Sequence, residues 1–183
     1  PDIAVINNIE FDHADIYANL DEVRLAFRRL VNLVPRRGLV LLGVDSGDAA
    51  ALKANARSRV QTFGTAVDAD WRASDIRIKG GTRFRVHHGG ADRGEVTMGL
   101  LGEHNVRNAL AGIAVGVDLG LDIEALRQAL AAFKGVKRRL EVVGEAGGVT
   151  VYDDFAHHPT AVDETLRAVR HAAPAQRIWA IFE

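Results

Sequence analysis

Two short, unbroken apolar runs, Ile3-Ala4-Val5-Ile6 and Leu39-Val40-Leu41-Leu42, flank a long amphipathic stripe, and this arrangement constrains the fold more than any other feature of the chain. A strand that is apolar at every position must be covered on both faces, which is the condition of a parallel sheet between helical layers. Between the runs, Leu20, Val23, Phe27, Leu30, Val31 and Val34 recur at helical spacing, with Asn19 placed to cap the helix and Pro35 to stop it. A turn-rich Asp45-Ser46-Gly47-Asp48, a short Ala-rich helix and a third strand over Val60 to Phe63 continue the alternation. The expected class is therefore α/β with a mostly parallel sheet.

The middle of the chain follows another rule. Asp75 to Lys79, Thr82 to His87 and Glu95 to Met98 alternate apolar with polar residues and are separated by Gly80-Gly81 and Gly89-Gly90, which predicts an antiparallel hairpin section with one face exposed. Helices are expected again over His104 to Leu119 and Ile123 to Phe133, joined at Gly120, followed by the basic knot Lys134-Gly135-Val136-Lys137-Arg138-Arg139. Strands over Leu140 to Val143 and Val149 to Tyr152, a helix opened by Pro159 and carrying Val162, Leu166 and Val169, and a buried last strand over Ile178 to Phe182 complete the reading. A domain boundary is expected at 140/141. The second unit is too small to be stable alone, and both ends of the chain read as cuts through structure.

Composition removes several classes of function. Lys+Arg 23 against Asp+Glu 24 gives a formal charge of −1 with the basic residues scattered, so no basic face for nucleic acid is expected. Zero Cys excludes a disulfide framework, a thiolate metal site and a cysteine nucleophile. The longest apolar run, Leu110 to Leu121, is broken by Asp118 and is too short for a bilayer, so neither a membrane partner nor an exported protein is expected, and the cytoplasm is the expected compartment.

Four segments carry possible chemistry. Asn7-Asn8-Ile9-Glu10-Phe11-Asp12-His13-Ala14-Asp15 follows the first strand, at the carboxyl edge where open α/β sheets bind ligands; Asp12 and Asp15 can orient His13 toward a metal, or simply cap the next helix. In Gly102-Glu103-His104-Asn105-Val106-Arg107-Asn108, Asn105 and Asn108 share one face of a first helical turn and suit either a nucleoside edge or plain capping. Lys137-Arg138-Arg139 can grip a phosphate at the domain boundary or stand as a solvated turn. In Tyr152-Asp153-Asp154-Phe155-Ala156-His157-His158-Pro159-Thr160 a strand expected to be buried delivers two carboxylates and two imidazoles to a helix N-terminus, and capping accounts for the carboxylates but not for the paired histidines. Adjacent Asp153 and Asp154 point to opposite faces of a strand, which excludes a glycosidase pair, and no Gly-x-Ser-x-Gly elbow occurs.

Taken in order, these four segments, the third extended to Gly135-Val136-Lys137-Arg138-Arg139-Leu140-Glu141, closely resemble the Mur ligases of peptidoglycan synthesis. The resemblance implies that residues 1–140 are the later part of the central ATP-binding domain and 141–183 the beginning of a Rossmann-like C-terminal domain. By the same resemblance His13 is the histidine that holds magnesium between the nucleotide γ-phosphate and an acyl phosphate. Asn105 and Asn108 lie on the helix that contacts the ATP base. Arg139 and Asp154 close on phosphate and ribose, and His157 stands at the same cleft. Phe-Asp-His-Ala-Asp and Asp-Asp-Phe-Ala-His-His-Pro-Thr-Ala look most like the branch that joins UDP-N-acetylmuramate to L-alanyl-γ-D-glutamyl-meso-diaminopimelate in peptidoglycan recycling. The branch that adds L-alanine more usually has Ala-Asp-His-Met-Asp and Asp-Asp-Tyr-Gly-His-His-Pro.

Two departures qualify the expectation. No Gly-x-x-x-x-Gly-Lys-[Ser/Thr] loop is present, and Lys53, Lys79, Lys134 and Lys137 are the only lysines, none within such a loop. The chain is thus expected to be a fragment of a longer enzyme, to have as partners the missing N-terminal and phosphate-loop segments of that enzyme, and to be inactive alone. A lysine that several Mur ligases carbamylate falls on Phe27 here, so no carbamate is expected. A binding module that kept the fold and lost the ATPase is the alternative from another class.

Overall fold

A computed structural model of the chain describes residues 1–181. Strands β1 (Ile3–Ile6), β2 (Leu39–Gly43), β3 (Arg59–Gly64), β4 (Trp71–Ile78), β5 (Thr82–His88) and β6 (Ala91–Met98) form one sheet in chain order. The pairs β1–β2, β2–β3 and β3–β4 are parallel, and β4–β5 and β5–β6 are antiparallel. Helices α1 (Leu20–Leu33), α2 (Gly47–Ala51), α3 (Glu103–Asp118), α4 (Ile123–Ala132) and α5 (Pro159–Ala172) surround it, and a separate antiparallel pair, β7 (Glu141–Ala146) with β8 (Val149–Asp153), precedes α5. The expected parallel section and Gly-Gly hairpins are both present.

The reason lies in where β2 puts its side chains. All five of its residues are buried, with Val40 and Leu42 in one apolar cluster and Leu41 in the other. The first cluster packs α1, through Val23 and Val31, onto β1 and β2. The second packs α3, through Val106, Leu110 and Ile113, onto Phe63, Trp71, Phe84 and Val96. Asn19 caps α1 as expected, its side-chain oxygen accepting from the backbone N–H of Asp21 and Glu22 at 3.0 and 3.1 Å.

Four expectations change. Strand β1, expected to be covered on both faces, stands at the edge of the sheet among the described residues and leaves Val5 exposed. Strands β4 and β6 begin at Trp71 and Ala91, earlier than the apolar alternation indicates, because pairing with β3 and β5 extends the ladder into polar sequence. The strand expected to be buried ahead of the Asp-Asp pair, β8, is largely exposed, since among the described residues it pairs with β7 alone, and Val149 and Val151 are 62% and 51% exposed. Residues 178–181 form no strand, and Phe182, the end of that expected strand, lies outside the described residues.

Candidate functional site

The carboxyl ends of β1 and β2, the N-terminus of α3 and the segment from Gly135 to Thr165 enclose a cleft of about 1210 Å³. Sequence-remote segments meet here because two glycines allow close approach. A Cβ on Gly43 would lie 2.2 Å from the carbonyl oxygen of Asn7, so the loop after β1 can fold over the end of β2 only against a glycine. At Gly102 (φ +97) a Cβ would meet His104 at 2.6 Å and Ala168 at 2.9 Å, so this glycine permits α3 to begin against α5, where Ala168 is buried.

His13, Asn105, Asn108, Arg139 and Asp154 all line this cleft, so the structure brings together five of the six site residues expected from sequence. His157 does not line it; that ring is exposed, with its Nδ1 3.0 Å from the Phe155 carbonyl oxygen. His13 is held at φ +54, a left-handed conformation uncommon for residues other than glycine, and 67% of its side chain is open to solvent. Its backbone N–H donates to Asp12 Oδ1 at 2.6 Å, while Asp12 Oδ1 also lies 2.9 Å from His158 Nε2. The His158 contact, then the His13 backbone, hold the Asp12 carboxyl below the usual carboxylate range. One exposed imidazole beside an anionic carboxylate suits a hard divalent cation that takes its remaining ligands from phosphate and water.

On the α3 side, the Asn108 side-chain oxygen accepts from Asn7 Nδ2 at 2.8 Å, which ties this helix to the loop after β1. The Asn105 amide donates to the Leu101 carbonyl at 2.8 Å and lies 3.0 Å from His104 Nε2. That contact makes Nε2 the acceptor and leaves the proton on Nδ1, which is buried without a hydrogen-bond partner among the described residues, 3.7 Å from Glu164 of α5. Burial pushes the His104 imidazole below its ordinary value, with Glu164 opposing. Glu164 also pairs with Arg107 at 3.0 Å.

The basic knot frames the opposite wall. Arg138 (φ +58) and Leu140 (φ +48) are both left-handed, strain that persists only where surrounding contacts impose it. Asp154 imposes part of it, its two oxygens accepting from the backbone N–H of Leu140 at 2.8 Å and of Ala156 at 2.7 Å. Asp154 therefore shapes the knot as well as facing the cleft. Arg138 is directed away toward Asp153 at 3.4 Å, and Arg139, exposed and in no ion pair among the described residues, remains to meet an anion. Asn7 and His158 stand in segments that the sequence marks for chemistry, but with no role of their own, and Glu164 stands in none, because each acts through a partner remote along the chain.

The family models "Mur ligase middle domain" and "Mur ligase, glutamate ligase domain" match residues 1–116 and 138–183. A UDP-N-acetylmuramate–L-alanine ligase of Geobacter sp. (strain M21) is 39% identical over all of this chain and 40% of its own length. Among solved structures, a UDP-N-acetylmuramate–alanine ligase from Thermotoga maritima is 27% identical with a TM-score of 0.78, over 93% of this chain and 38% of that one. A UDP-N-acetylmuramate:L-alanyl-γ-D-glutamyl-meso-diaminopimelate ligase from Neisseria meningitides is 37% identical with a TM-score of 0.66, over 75% of this chain and 42% of that one. The chain spans about 40% of the length of the curated relatives it matches.

Proposed function

This chain belongs to the Mur ligase family, and from that premise we propose that it supplies the nucleotide-facing part of the active site of an ATP-dependent ligase that joins the UDP-N-acetylmuramate carboxylate to the amine of L-alanyl-γ-D-glutamyl-meso-diaminopimelate. The observation that carries the reading is convergence: four segments far apart in sequence meet in one cleft at the carboxyl edge of a parallel sheet. The reaction forms an amide in two steps, phosphorylation of the carboxylate by ATP and attack of the amine on the acyl phosphate.

Such chemistry depends on positioning and charge neutralisation. His13 would hold magnesium, which would supply positive charge to neutralise phosphate oxygens during the transfer. Arg139 faces the same anions with its guanidinium, held in place by the left-handed turn that Asp154 braces. Asn105 and Asn108 border the adenine, and Asp154 the ribose. His157, exposed beside the cleft, is assigned no step. Residues 1–140 act as the central-domain part and 141–183 as the start of the C-terminal domain, and an enzyme using ATP and a UDP-sugar belongs to the cytoplasm. The 183-residue chain lacks a phosphate-cradling loop and is expected to be inactive alone.

The acceptor is read as the tripeptide from the forms of the first and last motifs alone. L-alanine is the second reading, favoured by the names of the curated relatives. Ligation by the full-length protein with each acceptor decides between them. Tripeptide-dependent ADP release supports the recycling activity, alanine-only activity establishes the second reading, and silence with both leaves a binding module. In the same assay His13→Ala is expected to lower kcat by about 10²-fold with a small change in KM for the UDP-sugar. Equal loss in both would exclude the metal-holding role.

A further inference from the structure

We propose that Asp12, His157 and His158 form a site for a divalent transition-metal ion that bridges the loop after β1 and the N-terminus of α5. One ligand atom from each of the three lies within 4.8 Å of the others. Two imidazoles and one carboxylate are a borderline set that suits Zn²⁺, Fe²⁺ or Co²⁺, whereas Mg²⁺ takes most of its ligands as oxygens from carboxylate, phosphate and water and is poorly served by a second imidazole. This site is therefore chemically distinct from a magnesium ion at His13.

Orientation of the ligands is the second, independent observation. His157 Nδ1 lies 3.0 Å from the Phe155 carbonyl oxygen, an arrangement that keeps the proton on Nδ1 and leaves the Nε2 lone pair free, as in histidines that ligate metals. The His157 and His158 rings stand 5.5 Å apart, tilted by 47°, so neither blocks the other by stacking. Asp12 is fixed from the opposite side by the His13 backbone N–H. In this structure His158 Nε2 and Asp12 Oδ1 share a hydrogen bond at 2.9 Å, and on metal binding its proton leaves to solvent while both atoms turn to the ion. Tetrahedral coordination at bond lengths of about 2.0–2.1 Å separates ligand atoms by about 3.3 Å, so this pair opens by a few tenths of an ångström and the exposed His157 swings inward.

Three protein ligands leave a position open. Asp12 and His158 both line the cleft, so the open position presents the metal to oxygen anions there, and occupancy holds the two sides of the cleft together.

The test is metal binding by the full-length protein in excess Mg²⁺, which saturates oxygen-rich sites. Zn²⁺ is measured by competition with a chromogenic chelator and Co²⁺ by its visible d–d bands. One tight Zn²⁺ per chain is expected, with the intense Co²⁺ bands of four-coordinate geometry. His157→Gln, His158→Gln and Asp12→Asn should each weaken Zn²⁺ by at least about tenfold, while His171→Gln, on the exposed end of α5, should not. His157 is exposed, so its variant keeps the fold. Unchanged Zn²⁺ affinity in His157→Gln, or weak six-coordinate Co²⁺ bands, would overturn the site and leave Asp12–His158 as an ion pair alone. Neither readout depends on ligation.

Discussion

Residues 1–133 and residues 134–181 differ in how they hold their shape. In the first, two apolar clusters cover both faces of the sheet at β2 and one face of its antiparallel strands, and Phe63, Trp71, Phe84 and Leu110 are wholly buried. In the second, the β7–β8 pair leaves Val142, Val143, Val149 and Val151 more than half exposed, and Ala168 is the one buried apolar residue among those described. A two-stranded pair is marginal without a covering layer. The second region therefore takes its order from the seam, where Ala168 meets Gly102, Glu164 meets Arg107 and Asp12 meets His158. The cleft lies along that seam, so its geometry depends on the weakest-held part of the chain.

The comparison breaks most readily through the core. Leu110→Ala should cost about 2–5 kcal/mol in chemical denaturation, and Val151→Ala, at an exposed position of β8, less than about 0.5 kcal/mol. Similar losses from the two would show that the second region is packed as tightly as the first. Next in size is the seam. Arg107→Ala leaves a half-buried Glu164 carboxylate unpaired and should weaken docking of α5 by about 1–3 kcal/mol. Proteolysis of 141–172 should accelerate while the sheet stays resistant.

The smallest effect expected is with pH. Burial lowers the His104 and His88 imidazoles below their ordinary 6.5, so between the folded and unfolded values the unfolded chain binds more protons. Stability is then full above about pH 7 and falls as the solution is acidified through 6.5 and below. The melting temperature should drop from pH 7.5 to 5.5, and drop less in His104→Gln. Asp12 is shifted down as well, but its exposure to water and salt leaves little effect on stability.

The first region was legible in the sequence because its signals are local: the apolar run of β2, the Asn19 cap and the Gly-Gly turns each fix their own element. The second was less so. An apolar run such as Val149-Thr150-Val151 looks alike whether or not another layer covers it, which is why β8 was expected to be buried. At the site, sequence order grouped His13, Asn105, Asn108, Arg139 and Asp154 through family resemblance, whereas the Asn7–Asn108 and Asp12–His158 contacts come from chain crossings that no local pattern encodes. The role of Asp154 shows the same limit, since only folding brings its two oxygens onto the backbone of the knot and of the following turn.

Hydrogen exchange of the full-length protein with and without MgATP tests most directly whether the seam cleft is the nucleotide site. Slower exchange confined to 7–13, 102–108 and 135–158, with β4 to β6 unchanged, is the predicted result. Slowing in the β4–β6 hairpins, or none in those three segments, would contradict it.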